Sequence, residues 1–200
     1  MTRRELLFAA TAVSPQAPSA VTVPVHLLYD LEAPHVDRFN GRIWPEAVGN
    51  LRKPGIQVTI SRGTTCLIQP VHRDPIIPNL ERGKLNILVT RNVPMHWDRG
   101  RMLNGATLLY RGFHLCVIAM NWAHGHQFPF LSVNTCLHEM LHALLGDIFE
   151  RRPAGFLGEA RELRVDACAT RLWLWSDAAV LSDARRYLAR LSASACRECS

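Results

Sequence analysis

The stretch Cys136-Leu137-His138-Glu139-Met140-Leu141-His142-Ala143-Leu144-Leu145-Gly146-Asp147 constrains this chain more than any other. Apolar residues fill almost every position between and after the histidines, which suits a helix buried on most of its surface. Gly146 then stands where a helix stop is expected. Inside the stretch, HEMLH is an instance of H-E-x-x-H. Residues four apart on an α-helix share one face, one turn above each other, so His138 and His142 can aim two imidazoles at a single ion. Glu139 lies beside them, turned about 100° around the helix axis. Imidazole pairs suit zinc, and a close carboxylate that is not a ligand can take a proton from a zinc-bound water. With nine histidines and nine glutamates in the chain, chance would supply this pattern roughly 0.02 times. The expectation is a helix over about Val133 to Leu145, with Ser132 as its N-cap and one Zn2+ on its histidines.

A catalytic zinc site takes three protein ligands and leaves the fourth position to water. Downstream runs Gly158-Glu159-Ala160-Arg161-Glu162-Leu163-Arg164-Val165-Asp166, with Glu162 twenty residues after His142. Here the chain resembles the gluzincin metallopeptidases, the thermolysin-like class, whose signature is H-E-x-x-H on one helix and E-x-x-x-D on the next. The resemblance makes His138, His142 and Glu162 the metal ligands and Glu139 the general base. Asp166 becomes the carboxylate that orients a ligand histidine. The match runs from His138 to Asp166, about 29 of 200 residues. It implies zinc-dependent hydrolysis of peptide bonds by an activated water, with a peptide or protein as substrate.

Other assignments stay open at this level. Glu159 would share the helix face of Glu162, and Asp147 falls five residues after His142. The metzincin pattern H-E-x-x-H-x-x-G-x-x-H/D needs glycine at 145 and His or Asp at 148, where this chain has Leu145 and Ile148. Thermolysin-like enzymes use a tyrosine and a downstream histidine for the oxyanion. No histidine follows His142, and the only later tyrosine is Tyr187. Tyr110, His114, His124, His126 and nearby arginines are the remaining candidates. The alternative function is a zinc-binding or interaction protein without turnover, its fourth metal position closed by His124, His126 or Asp147.

Residues 1–20 read as an address. Arg3 and Arg4 precede Leu6-Leu7-Phe8-Ala9-Ala10, and Ser14 to Ala20 is a small-residue end, as in a twin-arginine-like secretory signal. Residues 21–200 then form a single zincin-like domain, exported to a periplasmic or extracellular space. Cys66, Cys116, Cys136, Cys168, Cys196 and Cys199 make an even set, so some should pair in an exported chain. The net charge of +6 comes from dispersed arginines, which excludes a clustered nucleic-acid footprint. No apolar run reaches the roughly 18 residues of a membrane span.

Alternation and turn residues predict the rest. Val21–Leu31 is a strand, with Pro24 near an edge or strand start. Val36–Leu51 is a helix that Pro45 interrupts or restarts. Ile56–Ser61 is a half-buried strand, continued by Cys66-Leu67-Ile68 after a turn at Arg62-Gly63. Leu85–Thr90, Ala106–Tyr110 and Leu115–Met120 are strands, the last two joined at Arg111-Gly112. The resemblance to zincins implies that strand Leu115–Met120, which precedes the zinc helix, forms the cleft edge that pairs with extended substrate. Helices over about Gly158–Trp175 and Asp177–Leu191 complete the chain. The sum is an α+β, zincin-like domain: a twisted mixed sheet packed on the H-E-x-x-H helix, followed by further helices.

Overall fold

The computed structural model of the chain describes residues 20–69, 75–93, 104–120 and 129–144, together with 165, 169, 172, 182, 184–189 and 191. The expected signal, Gly146, Asp147, Glu159, Glu162, Asp166, His124 and His126 lie outside these residues. The described chain is mixed α and β, built on a mainly parallel sheet. Its strands are β1 (Val21–Asp30), β2 (Ile56–Cys66), β3 (Leu85–Thr90), β4 (Gly105–Tyr110) and β5 (Phe113–Ala119). They lie in the order β2-β1-β3-β5-β4. All neighbours are parallel except β4 and β5.

Burial follows that order. All six residues of β3 are buried, as are His114 to Ile118 of β5. Central parallel strands covered on both faces carry continuous apolar runs. Val23, Val25 and Leu27 of β1, Ile87 and Val89 of β3, and Cys116 and Ile118 of β5 belong to the larger core. Leu28, Leu88, Leu115 and Val117 point the other way, with Cys66, Ile77, Val93 and Tyr110, into a smaller cluster. Burying each such Leu or Ile contributes about 1.5–3 kcal/mol.

The helical segment between β1 and β2 shows what Pro45 does. A turn of helix, α1 (Val36–Arg38), passes into a π-helical turn over Phe39–Ile43 and then into α2 (Trp44–Arg52). Proline has no amide hydrogen, and its ring crowds the carbonyl four residues back. Placed in the first turn of α2, it causes no loss there. The preceding turn widens, and the amide of Trp44 bonds to the carbonyl of Phe39, five residues back. Phe39, Ile43, Trp44, Ala47, Val48 and Leu51 all reach the larger core.

Helix α3 (Pro129–Leu144) packs against α2, β4 and β5. It begins earlier than Ser132 suggested: Pro129 occupies the first turn and Ser132 is interior, because proline's fixed φ suits that position. Cys136, Leu137, Met140, Leu141, Ala143 and Leu144 are fully buried. Further along the chain, Val165, Ala169, Leu172, Ala184, Tyr187 and Leu191 are helical and join the same core.

Three other expectations change. Arg62-Gly63 is no turn: β2 runs through it, and the register slips between His26↔Ser61 and Leu28↔Thr64, a bulge opposite Leu27. A Cβ on Gly63 would come within 2.6 Å of the Tyr29 ring, so the bulge needs glycine there. Strand β5 is not the cleft edge, since it is paired on both sides, and β4 is the terminal strand among the described residues. Pro24 lies inside β1 as its fourth residue, paired there with β2 alone, because β3 pairing begins at Val25. Cys66, Cys116 and Cys136 are free and buried, so the expected pairing does not include them. Each lies within a packed apolar cluster. No described helix is long and apolar enough to cross a membrane.

His114 yields a stability prediction. Only 2% exposed, it packs edge-on against the Tyr187 ring at 5.5 Å between centroids. Burial lowers its pKa from 6.5 to about 4. The unfolded chain therefore binds the extra proton between those values. The stability tied to neutral His114 is whole above about pH 6.5 and is lost as pH falls towards about 4. The loss at this site is on the order of 3 kcal/mol. In urea titrations at pH 7 and pH 4, His114→Phe should lose less stability on acidification than the wild type. Parallel pH curves for the two proteins would sink this assignment.

Candidate metal centre

Helix α3 places His138 and His142 one turn apart, and their rings meet. Their centroids are 4.5 Å apart at 75°, and the two Nε2 atoms are separated by 2.8 Å. At that distance one imidazole donates to the other. A tetrahedral zinc with Zn–N bonds of about 2.0–2.1 Å needs its two imidazole nitrogens roughly 3.3 Å apart. Opening the pair by about half an ångström therefore yields a two-nitrogen bite of the correct donor type. His142 is buried and His138 partly so. The donor set fits zinc as far as it goes. Among the described residues no group of three or more His, Cys, Asp or Glu is assembled, so this pair is what the described chain supplies.

Glu139 points elsewhere, as its rotation around the helix requires. It is 6% exposed and faces β4. Its Oε2 accepts a hydrogen bond from Thr107 Oγ1 at 2.6 Å, and its backbone carbonyl lies 2.9 Å from the same hydroxyl. The Cys116 thiol also donates to that carbonyl, at 3.3 Å. Gly105 makes room for the carboxylate, since a Cβ there would come within 2.6 Å of both Cγ and Oε1. A carboxylate buried without donors would be strongly disfavoured. Here the adjacent strand supplies the donor and the space.

The surrounding groups register this charge. Burial pushes the Cys136 thiol up to about 12, and the Glu139 charge adds to the rise. Cys116 is raised well above its ordinary range, again chiefly by burial, with Thr107 acting in the opposite sense. Both thiols are therefore protonated and unreactive at neutral pH. They act as packing groups around the carboxylate.

The oxyanion candidates separate. The Tyr110 hydroxyl donates to the Pro75 carbonyl at 2.5 Å and belongs to the cluster on the opposite face of the sheet, so Tyr110 is committed there. His114 and Tyr187 are packed against each other in the larger core. Gly105 and Thr107 are the residues that sequence reasoning missed. Their only signal was that two small residues at period 2 open a strand, and nothing local says which face they take. No protein-family model, curated protein or solved structure matches this chain.

Proposed function

We propose that this chain is a zinc-dependent peptidase of the zincin kind, with Glu139 as the general base. The observation that carries this reading is the convergence of His138 and His142 at 2.8 Å on the same helix turn that buries Glu139 against an edge strand. His138 and His142 would hold the metal with Glu162 as third ligand, and Asp166 would orient a ligand imidazole. The chemistry that zinc supplies in such a site is polarisation of a carbonyl and acidification of a water. Val165, one residue before Asp166 in sequence, is buried in the core cluster that also holds Leu137 and Leu141 of α3.

The remaining steps belong to the chain's own residues. Glu139 takes a proton from the attacking water and delivers it to the leaving amine. An extended peptide adds to the open side of β4, where main-chain hydrogen bonds hold it regardless of side chain. Residues 1–20 direct export and are removed, which the arginine-led apolar start supports.

Three measurements test this reading. Glu139→Gln keeps the shape of the side chain but cannot accept a proton. It should retain zinc while peptide hydrolysis falls by about 10²–10⁴-fold. Full zinc with unchanged hydrolysis would refute the general-base role, and full zinc with no hydrolysis in either protein would favour a binding module.

Zinc titrations of ligand variants address the third donor. Glu162→Ala should lose zinc sharply, and Asp166→Ala should weaken it by roughly 10–100-fold. If Glu159→Ala or Asp147→Ala releases the metal while Glu162→Ala does not, Glu162 is not the ligand.

The intact mass of protein from the producing cell should correspond to a chain starting near Val21. A retained Met1 or Thr2 would end the export proposal.

A further inference from the structure

Two same-face positions of β4 hold the Glu139 carboxylate between them. Thr107 Oγ1 lies 2.6 Å from Oε2. Gly105, two residues earlier, leaves the space that Cγ and Oε1 fill. One oxygen is capped by a hydroxyl and the other lies over a residue without a side chain.

The main chain of these residues faces a different direction. In an antiparallel pair, residues alternate between those bonded to the partner strand and those whose N–H and C=O point away from it. The amide of Ala119 donates to the carbonyl of Asn104 at 2.9 Å, one step beyond the Gly105↔Ile118 pair, so Asn104 is a bonded position. The two-residue turn agrees, because Tyr110 and Phe113 flank it and close the hairpin. By alternation, Gly105, Thr107 and Leu109 direct their main-chain groups away from β5. Among the described residues no strand pairs with that side of β4.

We propose that Thr107 is a positioning residue: its hydroxyl orients the Glu139 carboxylate while its main chain receives the extended peptide, so that one residue sets the separation of base and scissile bond. The peptide half of this assignment rests on the peptidase reading above. A hydroxyl can donate to a carboxylate and accept from a carboxylic acid. The contact therefore persists when Glu139 carries the transferred proton. The hydroxyl hydrogen then turns to the Glu139 carbonyl, 2.9 Å away.

The experiment uses the wild type, Thr107→Val, Thr107→Ser, Glu139→Gln and the Val/Gln double variant. Urea unfolding of the metal-free proteins reads the contact itself. Zinc stoichiometry with kcat and KM on a peptide reads its use. Thr107→Val should lower kcat by about 10–100-fold, the scale of a misplaced catalytic group, with zinc and fold retained. Thr107→Ser should recover most of that loss. The double variant should be no slower than Glu139→Gln alone, because residues acting as a unit are not additive. In unfolding, the double variant should be less destabilised than the two single variants combined, by roughly 3–10-fold in the equilibrium constant. Additive unfolding losses would overturn the contact. An unchanged kcat in folded, zinc-loaded Thr107→Val, or a Thr107→Ser variant as slow as Thr107→Val, would overturn the positioning role. Coupled unfolding with no hydrolysis by the wild type would uphold the contact and overturn the peptide half, together with the peptidase reading.

Discussion

A buried carboxylate on a largely apolar helix needs a donor, and that requirement shapes one end of this sheet. Transferring an ionised group out of water without a partner is prohibitive. Glu139 is buried, and its neighbours one turn away on α3 are Thr135, Cys136, His142 and Ala143. One donor comes from the strand on which the helix lies. Thr107 supplies it, and Gly105 supplies the room for the helix to approach. With Glu139 rotated onto β4, His138 and His142 face one another.

Much of the fold was legible because its strands obey simple rules. Leu85–Thr90 reads correctly to the residue, since a short, mostly apolar run with β-branched residues, bounded by turn residues, is what a central parallel strand looks like. Arg111-Gly112 reads as the turn it is. Both residues take positive φ, 48° and 83°, which a two-residue hairpin demands. Pro45 announces its break, although not the π-helical turn that absorbs it. What failed depended on neighbours. Ser132 carries the side chain of an N-cap, but Pro129 upstream starts the helix. Arg62-Gly63 has turn composition, yet the strand alongside holds it extended as a bulge.

The site divides along the same line. His138 and His142 were visible because helical periodicity alone brings them together, and Glu139 because it adjoins His138 in sequence. Gly105 and Thr107 were not, because their role depends on which strand the helix meets and in which register. The identity of the edge also lay beyond local reading. Chain order puts β5 next to the histidine helix, while the antiparallel return of β4 puts that earlier strand on the rim. Topology decided what sequence adjacency suggested wrongly.

The Arg111-Gly112 turn has a consequence well away from itself. It locks Tyr110 opposite Phe113, and every pairing down the hairpin follows from that first rung. Side chains on a strand alternate strictly between faces, so a slip of one residue inverts the whole strand. One residue added to the turn would send Thr107 to the far side and bring Ala106 or Leu108 against Glu139. The carboxylate would then meet hydrocarbon where it now meets a hydroxyl. A two-residue loop on the surface thus acts as the alignment mark for a buried charge, and loop length at this point is under the same chemical constraint as the residues that touch the site.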